Sequence, residues 1–174
     1  MEIRPVRPEE WVELSQLRLR ALAAAPDAFS ATLADAASLD EQEWRRRAIA
    51  TPQQVTLVAV EGAHLLVGMC AVIREPGNPA AQLVAMWVEP DHRSRGVGAA
   101  LVESAAAWTR DSGADLLRLW VNEDNAPAIR LYGEHGFNPT GERERLRPRS
   151  KAMMIAMCRT ITPDPASGPA ATPR

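Results

Sequence analysis

Residues Arg93-Ser94-Arg95-Gly96-Val97-Gly98-Ala99-Ala100-Leu101 read RSRGVGAAL. Two arginines and two glycines lead straight into an apolar run. The stretch before them, QLVAMWVEP (82–90), is β-rich and stopped by a proline. After them Val97, Leu101, Ala105 and Trp108 recur at helical spacing as far as Gly113. A strand, a glycine loop and a helix make an anion site. The first N–H groups of a helix lack internal partners and carry the positive end of its dipole. Glycines let the backbone approach a ligand closely, and a phosphate or pyrophosphate suits such a cradle. The arginines add charge.

Two common phosphate loops are weakened as readings here. The P-loop requires G-x-x-x-x-G-K-[ST], which the chain lacks, and the dinucleotide fingerprint G-x-G-x-x-G loses its third glycine to Leu101. The preceding β-rich runs, QVTLVAVEG (54–62) and HLLVGMCAVIRE (64–75), meet at Glu61-Gly62-Ala63 and predict an antiparallel meander.

The remaining elements fall into place around this centre. IRPV (3–6) predicts a strand, and Pro8-Glu9-Glu10 opens a helix with Trp11, Leu14, Leu17 and Ala21 on its apolar face. SLDEQEWRRRAI (38–49) predicts a second helix, with Ser38 and Glu41 as a capping box. ADLLRLWV (114–121) is a strand; NAPAIRLYGEHG (125–136) is a short helix capped by Asn125 and closed at Gly136. GFNPTGERERL (136–146) and SKAMMIAMCR (150–159) are the last two strands. The order β-α-α-β-β-β-α-β-α-β-β predicts one mixed α/β domain over residues 1–160. A disordered Pro/Ala-rich tail is predicted for 161–174.

Composition narrows the function. A chain of 174 residues with net charge −2 is not the basic surface that a general nucleic-acid binder presents. No apolar run approaches a membrane span, and the first residues, MEIRPVRPEE, lack a signal-peptide core; the expectation is a cytoplasmic protein with no membrane and no nucleic-acid partner. Cys70 and Cys158 lie in apolar runs and read as buried thiols, and His64, His92 and His135 show no ligand spacing, so no metal is expected.

Val88-Glu89-Pro90-Asp91-His92-Arg93-Ser94-Arg95-Gly96-Val97-Gly98-Ala99-Ala100-Leu101 resembles the acetyl-CoA motif of the GNAT superfamily, V-x-P-x-x-R-x-x-G-x-G-x-x-L, at every fixed position. Asn125-Ala126-Pro127-Ala128-Ile129-Arg130-Leu131-Tyr132-Gly133-Glu134-His135-Gly136-Phe137 resembles that superfamily's N-x-x-A-x-x-L-Y-x-x-x-G-F block. The resemblance implies a GNAT fold: a mixed, mostly antiparallel sheet of about seven strands flanked by about four helices. It implies that Met86 and Val88 pair through their backbone with pantetheine, whose amides mimic a peptide edge. It implies that Arg93, Ser94, Arg95, Gly96, Val97, Gly98 and Ala99 wrap the pyrophosphate of acetyl-CoA, with Arg95 equally readable as a solvated surface arginine. Asn125 would reach the pantetheine, a role compatible with capping its helix. Tyr132, the chain's single tyrosine, would protonate the leaving thiolate.

The implied reaction is direct attack of an amine on acetyl-CoA in a ternary complex, without a metal. The implied acceptor is a small-molecule primary amine. A protein N-terminus or lysine is the alternative within the enzymes, and a non-catalytic acyl-CoA-binding domain the alternative outside them. Where some members of the superfamily carry a catalytic glutamate, this chain has Gln82 or Trp120. No base is named; Asn122 is assigned to hold a water. For the acceptor pocket two clues oppose each other: acids in the link after the first helix (Asp27, Asp35, Asp40), and Arg143, Arg145, Arg147 and Arg149 in the final hairpin. The resemblance also allows a homodimer through the last strands; AMMIAM (152–157) fits that or a buried central strand.

Overall fold

The computed structural model describes residues 1–161. The chain runs β1 (Glu2–Pro5), α1 (Trp11–Ala24), α2 (Leu33–Ala37), α3 (Glu41–Arg47), β2 (Gln54–Glu61), β3 (Leu65–Arg74), β4 (Ala80–Val88), α4 (Val97–Asp111), β5 (Leu116–Asn122), α5 (Ala126–Glu134), β6 (Asn138–Arg145) and β7 (Met153–Thr160). All strands form one sheet of seven in the order β1-β2-β3-β4-β5-β7-β6. Every neighbouring pair is antiparallel except β4 and β5, which α4 connects.

The sheet carries a hydrophobic core on each face. Val97, Leu101, Val102, Ala105 and Ala106 of α4 pack on one face with Tyr132 and Phe137. Leu14, Leu17, Ala21 and Leu22 of α1 cover the other, with Phe29, Trp44 and Trp87. Covered on both sides, β2 and β3 carry continuous apolar runs where a one-sided strand would alternate. Helix α4 lies close on β3 because Gly68 has no side chain; a Cβ there would sit 3.2 Å from Leu101 Cδ1 and from the Trp87 carbonyl. Burying each Val or Leu side chain of α4 contributes ~1.5–3 kcal/mol, which outweighs the ~0.5–1 kcal/mol that glycine costs at position 98 of the same helix.

Several expectations are corrected. There are five α-helices among the described residues, because the segment after Pro26 also folds: Thr32 and Asp35 form a capping box on the short α2. Ser38 closes that helix, and Asp40 caps α3 through Glu43 N (2.8 Å), so the Ser38–Glu41 box does not form. Serine and aspartate are both good cap residues, which local pattern does not distinguish. Cys70 is buried, but Cys158 is only half-buried because β7 meets the exposed edge strand β6 there. AMMIAM belongs to β7, which lies between β5 and β6 inside the sheet. Ile161, placed in the tail by sequence, is buried and bonds through its N–H to Asp115 O (2.8 Å); residues 162–174 of the expected tail lie outside the described residues. Among the described residues no helix is long and apolar enough to cross a membrane.

Candidate active site

Strands β4 and β5 pair only at Ala80–Gln82 against Leu116–Arg118, then part. Beyond Gln82 the β5-facing edge of β4 has no strand partner. A cavity of about 650 Å³ lies at this parting, walled by β4, β5 and the starts of α4 and α5. Helix α4 begins there at Gly96 (φ +80°), with no side chain capping it and no acid in its first turn. Its uncapped N–H groups and dipole therefore face the cavity mouth with no acid in their own turn. Gly98 is needed for contact: a Cβ would stand 3.1 Å from Leu131 Cδ2 and 3.6 Å from Met86 Cε. A bulge in β4 opposite Cys70 puts Ala85 at φ +57°, a conformation that costs a non-glycine residue ~1–3 kcal/mol. That strain lies at the wall of the site.

Most residues singled out from the sequence come together here. Met86, Val88, Arg93, Ser94, Gly96, Gly98, Ala99, Asn122, Asn125 and Tyr132 all line the cavity. Arg95 and Val97 do not: Arg95 is exposed, and the Val97 side chain is 1% exposed in the core. Arg93 is held by its own chain, donating from Nε to Val88 O (3.0 Å) with its guanidinium 4.6 Å from the Trp87 ring centre. The Asn125 side chain caps α5 by accepting from Ala128 N (3.2 Å). Tyr132 is buried, its ring tilted against Phe137 at 5.7 Å between centres. Burial pushes its hydroxyl pKa well above the ordinary phenol, and the nearby Cys70 thiol, itself pushed up to about 12 by burial, adds to that. The phenol is therefore protonated at any physiological pH.

Asn122 has different work from that expected. Its Nδ2 donates to Asp27 O (3.1 Å), and its Oδ1 accepts from Asp124 N (2.9 Å). The Nδ2 end fastens the link after α1 to the end of β5, and the Oδ1 end closes the turn that follows the strand.

A second cavity, about 510 Å³, lies on the α1–α3 side of the sheet and shares Ala28, Phe29, Leu83, Val84, Ala85 and Trp120 with the first. The two meet at the β4 bulge. Neither opposing charge set from the sequence lines the second cavity. Asp35 and Asp40 cap helices. Arg143 pairs with Glu123, Arg145 donates to Ser150 O, and exposed Arg149 sits in a turn at φ +69°. Arg147 reaches Phe29 O (2.7 Å) and Pro26 O (3.2 Å), tying the link down from the hairpin. The charged lining comes instead from Arg18, Glu43, Arg46, Arg47 and Glu144. Glu43 binds Arg46 and Arg47; Glu144 holds no ion pair among the described residues. Gln82 also lines this cavity, whereas Glu75 is exposed outside it and Glu89 pairs with Arg20 (2.7 Å). Sequence reasoning missed Arg18 and Glu144 because each looks like one more solvent-facing charge in its element.

The arrangement is a helix-entry anion cradle leading along two unpaired strand edges to a buried phenol. Residues 15–137 match the family model described as the acetyltransferase (GNAT) family. The chain belongs to the GNAT family. Within it, the chain is similar to streptothricin acetyltransferase of Streptomyces lavendulae, 39% identical over 47% of this chain and 43% of that one. It is also similar to mycothiol acetyltransferase of Thermobispora bispora, 32% identical over 76% of this chain and 44% of that one. The chain thus spans less than half the length of these curated relatives. In fold it matches a GNAT-family acetyltransferase from Streptococcus pneumoniae with TM-score 0.79, 23% identity, 92% of this chain and 99% of that one. As a GNAT fold, the sheet parting at β4 and β5 and the glycine entry to α4 are where this chain's two sequence blocks meet in space.

Proposed function

We propose that this GNAT protein is an N-acetyltransferase that moves the acetyl group of acetyl-CoA onto a primary amine of a small molecule, in a ternary complex. The observation that carries the reading is the parted pair β4 and β5, which connects the uncapped start of α4 to Tyr132. The residues present fit acetyl-CoA. The α4 entry with Gly96 and Gly98 suits a pyrophosphate, and the open edge of β4 around Met86 suits the amides of pantetheine. Two residues assigned by sequence have weaker grounds. Arg95 stands outside the cavity, and Val97 can contribute only its backbone.

Bound acetyl-CoA supplies an activated acyl carbon, to which the amine nitrogen bonds as the C–S bond breaks. Tyr132 gives its phenolic proton to the departing sulfur and recovers one afterwards. Its raised pKa keeps that proton in place before the step. The acceptor must lose a proton to become nucleophilic; the proposed base is Glu144, which lines the second cavity and holds no ion pair among the described residues. Asn122 positions the wall between the cavities. A small acceptor is supported by the relatives' names, streptothricin and mycothiol acetyltransferase, neither named for a protein.

The test is calorimetric titration with acetyl-CoA, with NADH and ATP as controls, followed by thiol release over an amine panel. Selective acetyl-CoA binding and amine-dependent thiol release are expected. Tighter NADH binding would overturn the assignment. Acetyl-CoA binding without turnover of any amine or peptide would leave a binding domain.

A further inference from the structure

The half-buried arginines divide into two groups. Arg4 binds Glu10, Arg74 donates to Asn78 O, Arg118 binds Glu142, Arg147 binds Phe29 O, and Arg159 binds Glu103. Arg18 alone, among the described residues, has neither carboxylate nor carbonyl, and its Nη1 is shut off from solvent without a hydrogen-bond partner. It lines the second cavity. One face of its guanidinium rests on the Phe29 ring, 4.3 Å from the centre. Stacking covers that face and leaves the in-plane N–H edge for a ligand.

We propose that Arg18 receives a carboxylate of the acceptor, so that the substrates are amines that also carry a carboxylate, amino-acid-like in class. This rests on the acetyltransferase reading and narrows it.

A buried cation with no counter-ion is unfavourable unless something supplies the opposite charge. Arg46 and Arg47 are engaged by Glu43 and add to the positive field around Arg18 without meeting its need. Burial and the Arg47 charge lower the Arg18 pKa to about 10, which leaves it charged at neutral pH. A planar carboxylate matches the guanidinium edge with two parallel hydrogen bonds. A phosphate dianion would bring two negative charges to one unpaired cation. The rest of the wall includes Leu14, Val55, Met69 and Leu83, which suits an apolar side chain.

The test compares free L-α-amino acids with their carboxamides, and β-alanine with O-phosphoethanolamine, as acceptors under saturating acetyl-CoA. For wild type, the free acids should show KM about 30-fold or more below their amides, the scale of a buried charge pair losing one partner. Arg18→Leu should raise KM for the acids and leave the amides and acetyl-CoA affinity unchanged; Arg18→Lys should restore part of the difference. A second readout needs no turnover: N-acetyl-amino acids should raise the melting temperature of wild type, but not of Arg18→Leu, more than their amides do. Amides or phosphoethanolamine used as well as the acids would overturn the proposal. So would equal melting shifts in wild type and Arg18→Leu, or turnover confined to amines without a carboxylate. If acetyl-CoA fails to bind while the melting shifts follow the carboxylate, the transferase reading fails and the Arg18 site stands.

Discussion

The two cavities that meet at the β4 bulge are built in opposite ways. The α4–α5 side is assembled mostly from two stretches, 83–99 and 120–135, with motif residues a few positions apart, and only Ala25, Ala28 and Phe29 come from elsewhere. The α1–α3 side is assembled from α1, the link after it, α3 and strands β2 to β7, whose contributions span residues 14–154. Its wall is tied by long contacts: Asn122 to Asp27 O, and Arg147 to Phe29 O. A site made of local geometry leaves a local signature. A site made of distant side chains leaves only single charges in otherwise ordinary elements.

Variants on each side can break or sharpen that contrast. The largest effect should come from Tyr132→Phe. Loss of a general acid lowers kcat ~100-fold or more, while acetyl-CoA affinity changes little. If affinity collapses instead and turnover per bound complex persists, the phenol is a packing group. Next is Gly98→Val, which pushes into Leu131 and Met86 and fills the cradle. A fall of ~10–100-fold in acetyl-CoA affinity is expected by calorimetry, a cost of the ~1–3 kcal/mol typical of overpacking. An unchanged dissociation constant would remove the α4 entry from the site.

On the other side, Asn122→Ala and Arg147→Ala should each raise acceptor KM several-fold and leave acetyl-CoA affinity alone, since they release the link at Phe29; each lost hydrogen bond costs ~0.5–1.5 kcal/mol. A drop in kcat at constant KM for Asn122→Ala would restore the water-holding role read from sequence. The smallest effect on activity should come from Glu10→Gln, far from both cavities. Glu10 accepts two hydrogen bonds from Arg4 (2.6 and 2.8 Å) and one from Arg7 N (2.9 Å). The Arg4 hydrogen bonds and charge hold its carboxyl at about 2, below the ordinary 4.5. Because the folded value is the lower one, this stabilisation is complete above pH 4.5 and is lost as pH falls toward 2. Urea unfolding should show a loss of ~1–3 kcal/mol at pH 7 for the variant and little difference from wild type near pH 2.

Much of the fold was legible because each strand and helix carries its own period and its own stop, such as Pro90 before the loop and Gly113 after α4. What pattern could not separate was which of several capping residues closes a helix: Ser38 and Asp40 are two positions apart and both able. The residues of the motif side, Gly98 and Tyr132 among them, were singled out from the sequence, and the fold brings them to one cavity. What pattern could not give there was the partner of each side chain. Asn122 is a plausible water holder by position, but a carbonyl 95 residues away in sequence claims its amide. Arg147 reads as a surface charge until the link it binds is seen.

The sequence by itself determined the order of the seven strands along the chain and the glycine entry to α4, because these follow from periodicity and near neighbours, and it pointed to the family through the resemblance of its two motif blocks. Only the tertiary structure decided that β4 and β5 part after Gln82, that two cavities meet at Ala85, and that half-buried Arg18 lines the second of them without a counter-ion. The physical reason is that periodicity tells which face of an element is buried, and never against what. Charge pairing depends on that missing information: an arginine is costly or harmless according to what the rest of the chain brings beside it.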